Sequence, residues 1–204
     1  MARVQHPGDT ATSQTDGRVA RRLRGRTAAV EAVLELFDEG DLRPSADTVC
    51  ERAGISPASL FRYFDGLADL YGAAFDEQVA RAVALARIDD LGRLGLEERI
   101  ARFVAGRIDV YRSVAGVGRM ARARAVEDAG VAATLAIARS RWLGQVRVVF
   151  AAELRPRGDA DAVAAAVDAV ASFEAWDLLT EGRDMPRSTV EAHWFTAIRA
   201  LLVA

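Results

Sequence analysis

Ser45–Phe64 reads SADTVCERAGISPASLFRYF, and this stretch decides the fold. Ser45 carries the hydroxyl of a good helix N-cap, and Ala46, Val49, Cys50 and Ala53 behind it share one helical face. Gly54 ends that short helix, because glycine enters the left-handed conformation freely. Ser56 caps the next helix, and Pro57 takes its favoured first position. Leu60 and Phe64 lie one turn apart and point inward together. Two short helices joined by Gly-Ile-Ser, with Val49, Ala53, Ile55 and Leu60 turned inward, make a helix-turn-helix. The inward residues fix the angle that admits the second helix, N-terminal end first, to the major groove of DNA. Its outward residues Pro57, Ala58 and Ser59 are small enough to let the backbone approach base edges, and Arg62 and Tyr63 follow one turn later.

The segments on either side complete an all-α chain. Leu23, Val30, Val33, Leu34 and Phe37 recur at helical spacing, which predicts a first helix over Val19–Glu39 that stops at Gly40. Residues 1–17, rich in Thr, Ser, Gly, Asp and Gln, read as a disordered tail. After Asp65-Gly66 the periodicity predicts helices over Leu67–Ile88, from Leu96 past Tyr111, over Gly130–Leu154, from Asp159 to Glu181, and from Ser188 to near Val203. Ala115–Val126, with two glycines, reads as less regular. Strand signals are nearly absent. The expected organisation is a tail (1–17), a three-helix helix-turn-helix domain (18–66) and a helical ligand-binding and dimerisation domain (67–204), about nine helices in all.

Composition narrows the function classes. The 204 residues carry a net charge of −2, so the total does not favour DNA; the distribution does. Arg18, Arg21, Arg22, Arg24 and Arg26 fall together with no acidic residue among them. Every positive side chain is arginine, a bias of the whole chain that fits GC-rich coding. One cysteine, Cys50, excludes an internal disulfide and reads as a small apolar filler. His6 and His193 stand apart, so no metal is expected, and no cofactor motif occurs. No apolar run is long enough for a membrane helix and no signal peptide opens the chain, so a cytoplasmic protein is expected. There is no Gly-rich phosphate loop, no Gly-x-Ser-x-Gly and no Glu-x-x-His pair, and the chain is not read as an enzyme.

From about Arg24 to Phe75 the sequence resembles the DNA-binding domain of the TetR family of transcriptional regulators. The resemblance rests on Ala29-Val30, Leu36-Phe37, Gly40, Thr48-Val49, Arg52-Ala53-Gly54-Ile55-Ser56, Leu60-Phe61-Arg62-Tyr63-Phe64 and Leu70. It implies a homodimer on double-stranded DNA, a palindromic operator, and a repressor released by a small-molecule effector. By position, Ser45 and Thr48 would face phosphates, Pro57, Ala58, Ser59 and Arg62 the bases, and Phe61 and Tyr63 the backbone; Ser56 belongs to the same surface. Arg62 has two readings, a bidentate contact to guanine or a phosphate contact. The sequence departs from the family at Phe61, commonly tyrosine, and at Leu67, commonly lysine. Two backbone donors are thus missing, and Arg21, Arg22, Arg24 and Arg26 are the side chains placed to replace them. The other function compatible with these departures is a helical interaction protein that has weakened or lost DNA binding.

Beyond residue 67, Phe103, Arg107, Tyr111, Trp142 and Phe173 are the residues proposed to line an effector pocket, with plain core packing as the other reading. Arg107 shares a face with Phe103 and Tyr111, and if buried it needs an anion, internal or on a ligand. Arg119, Arg122 and Arg124 read either as a solvated face or as a site for an acidic effector. Trp176, Leu179, Trp194, Ile198 and Leu201, on the last two helices, are assigned to a four-helix dimer interface, the other reading being burial within the monomer.

Overall fold

The computed structural model describes the backbone of residues 9–203, and the side chains from Val19 onward except those of 83 and 84. The described residues are helical throughout, with no strand. The chain divides into two compact units after Glu77.

The first unit contains α1 (Asp9–Asp38), α2 (Ala46–Ala53), α3 (Pro57–Tyr63) and the start of α4 (Leu67–Leu85). Helix α1 begins ten residues ahead of the Val19 start that periodicity predicts. Residues 1–8 of the expected tail lie outside the described residues. Ala29, Val33 and Phe37 of α1, Val49 of α2, Leu60 of α3 and Leu70 of α4 are buried. The unit extends past residue 66 because the first turns of α4 contribute to this core. Tyr71 packs edge-on to Phe37, ring centres 5.4 Å apart, and its hydroxyl donates to the Pro44 carbonyl at 2.6 Å. That bond seats the loop that leads into α2.

The second unit holds the rest of α4, a 3-10 turn η1 (Leu91–Arg93), α5 (Leu96–Ser113), α6 (Ala115–Ala125), α7 (Ala129–Val149), α8 (Ala151–Leu154), α9 (Ala160–Val170), α10 (Phe173–Thr180) and α11 (Arg187–Val203). Eleven α-helices lie among the described residues where about nine were expected, and three segments differ from the prediction. Ala115–Val126 is helical after all. Its Gly118 is there for close approach: a Cβ would meet the Phe173 ring at 2.6 Å. The segment predicted as one helix over Gly130–Leu154 breaks at Phe150, whose φ of −109° and ψ of 26° leave the helical region. The alanine-rich segment from Asp159 to Glu181 breaks at Ser172, which turns extended and caps α10 by accepting from the Ala175 N–H at 3.1 Å. In both cases apolar spacing runs through the break and hides it.

Helix α11 packs on α5 and α9, sending Val190, Trp194, Ile198 and Leu202 inward on successive turns. Ile100, Phe103, Val104, Ile108 and Tyr111 of α5 complete the same core. Trp176, Trp194 and Ile198, assigned by sequence to the dimer interface, are therefore occupied inside the unit, at 4%, 2% and 0% exposure. Leu179 and Leu201 are half-buried against that core. Strong apolar periodicity marks the face a helix buries first, which here is the monomer's own interior.

Candidate nucleic-acid interface

The helix-turn-helix is assembled by local hydrogen bonds. Ser45 accepts from the Thr48 N–H at 3.1 Å, and the two hydroxyls lie 2.8 Å apart. Gly54 adopts φ 65° and ψ 33°, a left-handed conformation that lets the Ile55 N–H reach back to the Cys50 carbonyl at 3.1 Å. Ser56 then accepts from the Ser59 N–H at 3.2 Å and donates to the Ser59 hydroxyl at 3.1 Å. Arg52 forks onto both oxygens of Glu39 at 2.8 Å each, tying α2 to the end of α1. This pair holds the Glu39 carboxyl below its ordinary range and pushes the Arg52 guanidinium further up. Burial raises the Cys50 thiol, in keeping with an inert core residue.

The face left to solvent is the one the sequence singles out. Ser45, Ser56, Pro57, Ala58, Phe61 and Arg62 are exposed, and Thr48, Ser59 and Tyr63 are half-buried. Arg62 donates to the hydroxyls of Ser59 and Tyr63 at 3.3 Å each and has no carboxylate partner among the described residues. Arg21, Arg22, Arg24 and Arg26 are exposed on α1, and Arg26 lies over the Phe64 ring at 5.0 Å. None of these four pairs with a carboxylate among the described residues. Leu67 is half-buried, where a lysine would place a charge.

One contact was not foreseen. Gly25 sits under Tyr63, and a Cβ there would fall 2.7 Å from the Tyr63 hydroxyl. The close approach holds the arginine-bearing turns of α1 against the second helix of the motif. A glycine inside a helix costs roughly 1 kcal/mol relative to alanine, so a glycine within an arginine run was the available signal. Tyr71 gave none, because its hydroxyl partner is a loop carbonyl distant in sequence.

In the second unit, Phe103, Arg107, Tyr111, Trp142 and Phe173 do come together. Arg107 is 1% exposed. It donates to Gln145 at 2.9 Å, Tyr111 at 3.1 Å, Asp168 at 3.2 Å and the carbonyls of Trp142 at 2.7 Å and Ala171 at 3.1 Å. The rings of Phe103 and Trp142 flank its guanidinium at 4.7 and 4.8 Å. Its anion is thus internal. Burial pushes the Asp168 carboxyl up, and Arg107 only partly offsets this. Burial also raises the Tyr111 phenol. The Arg119–Arg124 run is likewise engaged: Arg119 with Asp177 at 2.8 Å, Arg122 with Glu174 at 3.0 Å, and Arg124 with Asp128 at 3.7 Å. No group of three or more metal-ligating side chains occurs among the described residues. No described helix is long and apolar enough to cross a membrane.

No family model matches the sequence, and no curated protein matches it. Solved structures do. A TetR-like transcriptional regulator from Rhodococcus sp. RHA1 superposes with a TM-score of 0.67 at 17% identity, over 90% of this chain and 96% of that one. A second transcriptional regulator from the same organism gives 0.66 at 19% identity, over 89% and 95%. At such identity the likeness is one of fold.

Proposed function

We propose that this chain, whose fold is that of TetR-like regulators, is a DNA-binding transcriptional regulator that acts as a homodimer on a palindromic operator. The observation that carries the reading is the helix-turn-helix of Ser45–Phe64, flanked by arginines that no carboxylate among the described residues neutralises. Phosphate contacts set register and most of the salt dependence, while Arg62 and the small residues of α3 face the bases. Arg21, Arg22 and Arg24 take the backbone role that Phe61 and Leu67 leave open. The test is affinity for DNA fragments upstream of the chain's own gene across a salt series, with a log–log slope of about −0.9 per phosphate contact. Absence of binding to every fragment at low salt would leave the interaction-protein reading instead.

The dimer face lies on the outward side of α10 and α11. Ala192, Thr196, Ala200 and Val203 recur on the exposed side of α11, and Leu178 is exposed on α10. Truncating the chain before Ser188 would remove core residues and unfold the unit, so it cannot report on dimerisation. Ala200→Arg leaves the core intact and is expected to give a folded monomer by sedimentation velocity. A dimer that survives it would displace the interface from this face.

Repression relieved by a small-molecule effector is the regulatory form of the proposal. The recognition helices of a dimer must sit about one DNA turn apart, ~34–36 Å, to engage both half-sites. An effector that binds one spacing better shifts the population toward it. Helix α4, whose residues belong to both units, is the connection through which this would act. The aromatic cluster around Tyr111 supplies the apolar surroundings, but Arg107 is spent on internal partners and does not recruit an acidic effector. Operator affinity with and without a bound compound measures the coupling.

A further inference from the structure

Building on the DNA-binding reading, we infer that α3 reads thymine 5-methyl groups through the apolar edge formed by Pro57, Ala58 and Phe61. Phe61 is 55% exposed, the most exposed aromatic ring on the motif's outer face. It lies one turn after Pro57 and Ala58, so the three carbon surfaces are contiguous along one side of the helix. The hydroxyls of α3 are turned to local work. Ser56 both accepts from and donates to Ser59, and the Ser59 oxygen accepts from Arg62 at 3.3 Å. The exposed edge thus offers carbon where a hydroxyl would face a phosphate, and a phenyl ring gains nothing from a phosphate oxygen. In the major groove the one apolar feature of a base edge is the thymine methyl, and alanine and phenylalanine are side chains that contact it. Charge complementarity places the duplex there: Arg62 on the same helix and Arg21, Arg22 and Arg24 on α1 have no carboxylate partner among the described residues. The half-site that fits is a thymine opposite Ala58 and Phe61, next to the base pair that Arg62 addresses.

The probe is a duplex selected by the full-length chain from a random-sequence library and resynthesised with deoxyuridine for each thymidine in turn. Deoxyuridine removes the methyl and leaves pairing unchanged. One thymidine per half-site is expected to cost ~4-fold in affinity when replaced, and both together ~15-fold, at about 0.8 kcal/mol per buried methyl. Phe61→Ala should weaken binding to the thymidine duplex and abolish the penalty for deoxyuridine, whereas Phe61→Tyr should keep it. Because the ring is exposed, Phe61→Ala stays folded, which circular dichroism verifies; Ala58→Gly provides a second, milder variant. Tight binding that no deoxyuridine weakens, or a penalty unchanged in Phe61→Ala, overturns the inference while leaving the DNA-binding reading in place. A library from which nothing is enriched at low salt overturns both.

Discussion

The arginines on the outer faces of α1 and α3 and those of the second unit live in opposite circumstances, with Arg52 of the first unit, paired to Glu39, resembling the latter. On α1 and α3, Arg21, Arg22, Arg24, Arg26 and Arg62 are exposed without a carboxylate partner among the described residues. In the second unit, Arg99, Arg107, Arg119, Arg122, Arg139, Arg147, Arg187 and Arg199 each hold an aspartate or glutamate within 3.2 Å. A net charge of −2 conceals this division. Acidic residues neutralise guanidinium groups where helices pack on one another, as Glu39 does for Arg52 in the first unit, but none of those described pairs with the arginines on the outer faces of α1 and α3. The same side chain serves as internal glue in one region and as an open anion receptor in the other. The contrast teaches that a chain acidic overall can present a cationic face, provided its carboxylates are spent elsewhere.

The largest expected effect tests the glue. Arg107→Met removes the guanidinium from a site where Asp168, Gln145 and two carbonyls are turned toward it. Leaving a partly buried carboxylate unpaired is worth about 3–5 kcal/mol, which urea unfolding of the variant should show. Arg107→Met with Asp168→Asn should recover part of the loss. A neutral Arg107→Met would erase the distinction between the two sets of arginines. The next effect tests the receptor. Replacing Arg21, Arg22 and Arg24 together by glutamine should change stability by no more than ~0.5 kcal/mol each, because they are exposed and pair with no carboxylate among the described residues. The same variant should lose six phosphate contacts per dimer and lower the magnitude of the salt slope by about 5. A variant that keeps the slope of the parent chain would move backbone binding away from α1.

How much of this was legible in the sequence follows from the range of the interactions involved. Ser45, Gly54, Ser56 and Pro57 announce the helix-turn-helix because caps and left-handed turns are settled within four residues. The clustering of Phe103, Arg107 and Tyr111 was readable for the same reason, since one helical face carries all three. The partner of Arg107 was not readable, because Asp168 lies on a helix far along the chain and no local signal links them. Trp176, Trp194 and Ile198 misled as interface residues: periodicity shows that a face is buried, and not by whom. The outward stripe of Ala192, Thr196 and Ala200 gave no apolar signal strong enough to compete. Gly25 is intermediate, a residue costly in a helix whose reason, the Tyr63 ring, appears only in three dimensions.

The smallest expected effect sharpens the comparison at a carboxylate. Glu174 accepts from Arg139 at 2.7 Å and Arg122 at 3.0 Å. Partial burial pushes its carboxyl up, but the two guanidinium groups outweigh this and pull it down to about 2 from 4.5. A folded-state value below the unfolded one means that the contribution is complete above pH 4.5 and is lost as pH falls toward 2. The carboxylate is nearly half exposed, so solvent screening limits the stabilisation to about 1 kcal/mol. Glu174→Gln should therefore lower the unfolding midpoint slightly at neutral pH and converge on the parent chain in acid. Both curves come from thermal unfolding followed by circular dichroism over that pH range. A constant gap at every pH would mean that Glu174 acts by packing alone. The first unit provides the control. Arg21 pairs with no carboxylate among the described residues, so glutamine there should leave the acid limb of the curve where it was.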